Sequence, residues 1–182
     1  MKGIVFTEFL ELVEKKFGFD MADDIIDECE LESEGSYTQV GVYDYKELLQ
    51  LVTVLSEKTK LSVNDLVNAF GEHLIGQFVE KFPTYFKEVD NSFDFLDTVE
   101  NKIHVEVKKL YPDAELPTFT TNSFEPNKME ITYQSERPFS ALAYGMMMGC
   151  ADYYSEKITI SMDEQSTGEF TRVKFTLCKE NN

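Results

Sequence analysis

Tyr133-Gln134-Ser135-Glu136-Arg137 is the stretch on which the reading of this chain turns. It continues Met129-Glu130-Ile131-Thr132, where apolar and polar residues alternate as they do in a strand. Residues two apart in a strand share a face, so the spacing predicts Tyr133, Ser135 and Arg137 side by side. That row offers a phenol, a hydroxyl and a fixed cation. It suits carboxylate groups, because Arg binds a carboxylate in bidentate fashion and stays charged at any working pH. A second reading stays open at this point: exposed strand faces also carry Tyr, Ser and Arg as ordinary cross-strand pairs.

Working outward, Thr118-Phe119-Thr120-Thr121 reads as a strand that reaches Met129–Tyr133 through Glu125-Pro126-Asn127-Lys128. After Pro138 a helix is predicted from about Ser140 to Tyr153. Lys157–Met162 and Phe170–Leu177 then alternate as a hairpin joined across Glu164 to Gly168. The N-terminal half is helical in pattern. Phe6, Phe9, Leu10, Val13 and Phe17 recur at helical spacing with Gly18 as the stop, and a short helix covers Met21 to Cys29. Gly35 to Gly41 is a loop. Asp44 caps a helix with the stripe Leu48, Leu51, Val52 and Leu55, with Glu47 at the capping-box position. Ser62, with Asp65 three residues on, caps a longer helix that Pro83 ends or redirects. Asn91 or Ser92 opens one further helix bearing Phe93, Leu96, Val99, Ile103, Val107 and Leu110, and Pro112 forces its exit. The fold class is α+β. No linker or internal repeat divides the chain, so 1–182 is read as a single domain.

His104 lies at the edge of that last apolar stripe, pointing obliquely inward. A half-buried His is often a packed residue, and it is also a versatile neutral metal donor. The other histidine, His73, lies beside Phe70 and Leu66 on the preceding long helix. Two histidines without HExxH do not make a polyhistidine zinc or iron site unless carboxylates help. An axial histidine plus a clamp for two propionates is the pair of contacts that haem requires.

The 182 residues suffice for one compact domain with a sizeable core. Hydrophobic residues make up 42%, too many for a disordered chain. The formal net charge of −17 repels phosphate backbones and anionic lipid, so neither nucleic acid nor a membrane is an expected partner. Cys29, Cys150 and Cys178 are widely spaced and form no CxxC pair, which indicates neither a zinc ribbon nor a disulfide framework. CxxCH is absent as well, so a haem would be held without covalent attachment. No apolar signal core follows Met1 and no run has membrane length, which makes a reducing cytoplasm the expected compartment.

Met1-Lys2-Gly3-Ile4-Val5, Ile103-His104-Val105-Glu106-Val107-Lys108-Lys109-Leu110-Tyr111-Pro112-Asp113-Ala114, Pro117 and Tyr133-x-Ser135-x-Arg137 together resemble the H-NOX family. These are the haem nitric oxide/oxygen-binding domains related to the haem domain of soluble guanylate cyclase. The resemblance spans essentially the whole chain. It implies a non-covalent haem b whose iron is bound by His104 and whose propionates are bound by Tyr133, Ser135 and Arg137. It also implies that Ile4 and Pro117 press on the macrocycle. The implied fold sets a helical distal part on a proximal part containing an antiparallel sheet, with haem between them.

Ligand choice follows from the distal positions that the resemblance picks out. A hydrogen bond to a charged acceptor contributes on the order of 1.5–3 kcal/mol, so a donor beside bound oxygen favours it. Oxygen-binding members place a Tyr where this chain has Leu142. Tyr144, two residues on, differs by about 200° of helical azimuth. Leu74 stands at a position that supports the donor network, and Phe78 is apolar too. The resemblance therefore implies a five-coordinate ferrous haem that binds nitric oxide and carbon monoxide and discriminates against oxygen. Met146, Met147 and Met148 are read as gap-filling core in preference to iron ligands.

The expected role is a gas sensor and not an enzyme. In the family, nitric oxide weakens the iron–histidine bond, the haem relaxes, and a partner reads the shift, commonly a histidine kinase or a cyclic-di-GMP enzyme. Two alternatives stand beside it. One is a haem enzyme of the peroxidase or NO-consuming type, with His73 as its only histidine for acid–base work. The other is a haem-free module whose Tyr-x-Ser-x-Arg row binds a carboxylate-bearing peptide.

Overall fold

The computed structural model describes residues 1–168 and 170–180. The chain divides into two compact units, Met1–Phe70 and Gly71–Asn182. Among the described residues no helix is long and apolar enough to cross a membrane.

The first unit is helical. It holds α1 (Gly3–Phe17), α2 (Phe19–Asp27), α3 (Tyr45–Thr59) and the start of α4 (Val63–Lys81). Phe6, Phe9 and Val13 of α1 are buried, as the apolar spacing requires, and so are Leu48, Leu51, Val52 and Leu55 of α3. Gly18 ends α1 at φ 95°, a conformation that a side chain would strain. The second helix starts at Phe19, two residues before the expected Met21. Asp44 caps α3 by accepting from the Lys46 amide at 2.9 Å. Glu47 does not serve the expected capping box. Its buried carboxylate accepts from Tyr37 Oη at 2.7 Å and from Ser33 Oγ instead, which satisfies a charge that burial would otherwise penalise. Ser62 and Asp65 form a reciprocal cap on α4: the Asp65 amide donates to Ser62 Oγ at 3.1 Å, and that hydroxyl donates to Asp65 Oδ2 at 2.7 Å.

Gly3 has a packing reason. A Cβ there would lie 1.8 Å from the carbonyl oxygen of Thr38. The loop comes that close because the Gly3 amide donates to Gly41 O at 2.8 Å and the Ile4 amide to Gln39 O at 3.0 Å. The Met-Lys-Gly start is therefore a site of strand-like pairing, with Lys2 bridged to Val42, before α1 begins.

The second unit comprises the rest of α4, α5 (Pro83–Lys87), α6 (Ser92–Thr98), a π turn (Val99–Ile103), α7 (His104–Leu110), strands β1 (Thr118–Glu125) and β2 (Lys128–Ser135), α8 (Ser140–Tyr153), and strands β3 (Ile158–Glu164) and β4 (Thr171–Lys179). Pro83 both follows the end of α4 and opens α5 at its first turn. The four strands form one antiparallel sheet in the order β1-β2-β4-β3. Met129, Ile131 and Tyr133 alternate inward on β2 and meet Leu177, Phe175 and Val173 of β4 in register. Ala143, Met147 and Ala151 of α8 cover them. A second cluster of Ile75, Phe86, Phe95 and Cys150 takes Met146 and Phe78 against it. The three methionines thus serve as packing residues on two sides of α8.

A further expectation is corrected. The stretch 92–110 is not a single α-helix. The His104 amide donates to Val99 O, five residues back, and a π turn separates α6 from α7. No Gly or Pro in the stretch announces it, because the extra residue is accommodated by backbone pairing alone.

Phe175 is fully buried between β2, α8 and its own strand neighbours. Phe175→Ala is expected to lower unfolding free energy by about 3–5 kcal/mol in a denaturant titration.

Candidate functional site

His104 is the first residue of α7, directly after the π turn. Its side chain is 14% exposed. Nδ1 lies 3.1 Å from Glu100 Oε2, one turn back, and the same oxygen accepts from the Phe119 amide at 3.0 Å. Burial pulls the imidazole below the usual histidine range against the opposing pull of Glu100, so the ring is neutral near neutral pH. A neutral imidazole whose Nδ1–H is held by a carboxylate keeps Nε2 as the nitrogen able to donate to a metal. The ring centroid of His104 is 5.8 Å from that of Phe119, and Phe119 is 5.5 Å from Tyr133.

The Tyr-x-Ser-x-Arg motif departs from the simple strand row. Strand β2 ends at Ser135. Arg137 sits in the bend that follows, where its amide donates to Ser135 Oγ at 3.0 Å. Pro138 next to it has no amide hydrogen with which to extend the ladder. Tyr133 is 2% exposed and belongs to the core, which removes the reading of an exposed cross-strand face. Its hydroxyl donates to Arg137 O at 3.4 Å, and burial pushes its pKa above the ordinary phenol value. The Arg137 side chain is largely buried while its guanidinium donates to Glu115 O at 3.3 Å and pairs with the Glu115 carboxylate. The local fold thus brings all three residues together, but through a strand end and a bend.

This geometry can be tested against a haem. The guanidinium already holds a carboxylate, supplied by Glu115, whose side chain is 78% exposed. A propionate is chemically the same group, so the donor set fits it. His104 supplies a neutral, oriented nitrogen. The residues present therefore fit an iron porphyrin.

Helices α4 and α8 touch closely in the second unit. A Cβ on Gly71 would lie 2.5 Å from Leu142 O and 2.7 Å from the Met146 amide nitrogen. Leu142 is half-buried on α8, and Leu74, one turn past Gly71 on α4, is 2% exposed. Phe78 packs with Ile75 and Phe86 in the second cluster. Tyr144 packs on the sheet-side cluster. Pro117 is half-buried just before β1, and Ile4 is half-buried on α1 of the first unit.

A family model described as Haem-NO-binding matches residues 2–162. The chain belongs to the haem-NO-binding (H-NOX) family. It is 40% identical to the H-NOX protein from K. algicida, solved in the Fe(II) unliganded state, with a TM-score of 0.94 over 100% of this chain and 98% of that one. It is 44% identical to the H-NOX from Shewanella woodyi, solved in the Fe(II)CO state with IWP-051 bound, with a TM-score of 0.81 over 97% and 94% of the two chains. The H-NOX protein from S. oneidensis in the Fe(II)NO state shares the fold at 23% identity, with a TM-score of 0.89 over all of both chains. The H-NOX family is one of haem-binding gas-sensor domains, and the α+β fold expected from the sequence is the fold observed.

Two site residues escaped the sequence reading. Glu100 carried a usable signal, since it stands four residues before His104, the spacing at which helical side chains meet. Glu115 carried none, because it reaches Arg137 across 22 residues of chain.

Because Glu115 is so exposed, Glu115→Ala is expected to change stability by less than about 1 kcal/mol in urea unfolding, despite the ion pair it forms.

Proposed function

We propose that this chain is a haem-based sensor that binds nitric oxide and carbon monoxide at a five-coordinate ferrous haem b, discriminates against oxygen, and signals to a partner protein. When bound, the haem supplies an iron with one coordination position open to a diatomic gas. His104 holds the iron. Arg137, Ser135 and Tyr133 hold the propionates, with Arg137 exchanging the carboxylate of Glu115 for that of the cofactor. Ile4 and Pro117 press on the macrocycle. Leu142, Leu74 and Phe78 face the gas-binding side and offer it no hydrogen-bond donor. The observation that carries the reading is the largely buried His104 with its Nδ1 3.1 Å from Glu100 Oε2.

Aliphatic side chains at 142 and 74 give bound oxygen nothing to stabilise its partial negative charge. Nitric oxide and carbon monoxide do not need that help. The reading is supported by family membership and by relatives solved in the Fe(II)NO and Fe(II)CO states. Signalling requires a partner, such as a histidine kinase or a cyclic-di-GMP enzyme, that binds one ligation state better than the other. We place the whole of 1–182 in one sensor domain acting in the cytoplasm.

Absorption spectra of the ferrous protein test the proposal directly. A Soret band that shifts with nitric oxide and with carbon monoxide, and stays unchanged in air until the iron oxidises, is the expected result. A stable ferrous–oxy spectrum would overturn the discrimination against oxygen. Arg137→Gln is expected to weaken haem retention about ten- to a hundredfold, the loss of one charge-assisted contact, as read by haem transfer to a competing apoprotein. His104→Ala, with haem retained, is expected to give the partner response of the nitric-oxide-bound protein.

A further inference from the structure

We infer that Glu100 is a positioning residue for His104, fixing the ring's tautomer and tying its position to strand β1. The inference rests on the reading of His104 as the iron-binding residue and deepens it. A single carboxylate oxygen, Glu100 Oε2, serves two donors: the ring at Nδ1, 3.1 Å away, and the Phe119 amide, 3.0 Å away. An amide N–H only donates, so this oxygen is an acceptor there. The same acceptor oxygen facing Nδ1 calls for the proton on Nδ1, which leaves the Nε2 lone pair for a metal. A carboxylate on the far nitrogen also strengthens the ring as a donor.

The second donor gives this contact a direction. Phe119 is the register partner of Tyr133, and the rings of His104, Phe119 and Tyr133 lie in sequence at 5.8 and 5.5 Å. A displacement of the imidazole therefore pulls on a carboxylate that also holds the backbone of β1 opposite Tyr133. One helical turn earlier, Asp97 Oδ1 accepts from Thr121 Oγ1 at 2.8 Å, so the stretch around the π turn is fastened to β1 at two points. The π turn itself carries Glu100 and ends at the residue before His104. Glu100 thus links the histidine to the strand pair that bears the anion clamp.

A carboxylate that merely fastened helix to strand would leave the metal's electronic properties alone. The test is the iron–histidine stretching band in resonance Raman spectra of the ferrous protein, together with the ferric/ferrous midpoint potential. Glu100→Gln keeps the shape and a hydrogen-bond acceptor but removes the charge. It is expected to shift the band to lower frequency and raise the potential. Glu100→Asp keeps the charge but withdraws it by one methylene, and is expected to shift both in the same direction. Circular dichroism verifies that each variant is folded, and either folded variant suffices. If the unsubstituted protein shows the band and the variants leave both readouts at its values, the inference fails while the haem reading stands. If the unsubstituted protein shows no iron–histidine band, both fail.

Discussion

The inward alternation of Met129, Ile131 and Tyr133 on β2 is the constraint on which the second unit depends. β2 is paired on both edges, with β1 on one side and β4 on the other, so it has no freedom to slip. A shift of one residue would turn every one of its core side chains to the opposite face. With the register fixed, Tyr133 stands between Phe119 and Val173, and Ser135 becomes the last paired residue. The bend that carries Arg137 begins where the ladder stops. The anion-binding cation is therefore placed by packing in the sheet core.

The same register positions the histidine from the other side of the strand pair. Phe119 lies opposite Tyr133, its amide donates to Glu100, and Glu100 reaches His104. Two segments that carry residues of the proposed haem site, the end of a π turn and the end of a β-strand, meet through one backbone amide and one ring. Helix α8 packs against both hydrophobic clusters of this unit, with Ala143, Met147 and Ala151 in one and Cys150 in the other. Its close approach to α4 at Gly71 needs the absence of a side chain there, since backbone atoms occupy the space a Cβ would take. Leu142 and Leu74 are thereby held on neighbouring stretches of two helices in direct contact.

Much of this was legible in the chain. Helix α8 begins and ends where Ser140 and Tyr153 were expected: Pro138 bars an earlier start, and residues 141–151 carry no charged side chain. Asp44 and Ser62 cap the helices they were expected to cap, and of the two candidates Asn91 and Ser92 it is Asn91 that caps, since capping is a contact between near neighbours. The π turn was hidden because the residue types that fill it are compatible with an α-helix. Glu47 was misplaced because its partners, Ser33 and Tyr37, come from a loop whose course local spacing does not specify.

Sequence by itself determined the α+β class, the family, and the residue types of the proposed haem site, because strand alternation, helical stripes and short motifs are local properties. It also placed Leu at 142 and 74, on which the proposed choice of gas rests. Only the tertiary structure decided that Tyr133 is a core residue, that Arg137 stands beyond the strand end with Glu115 as its present carboxylate, and that Glu100 joins His104 to β1. Each of those is a contact between residues brought together by folding, and burial and hydrogen-bond partnership exist only once the distant chain segments have met.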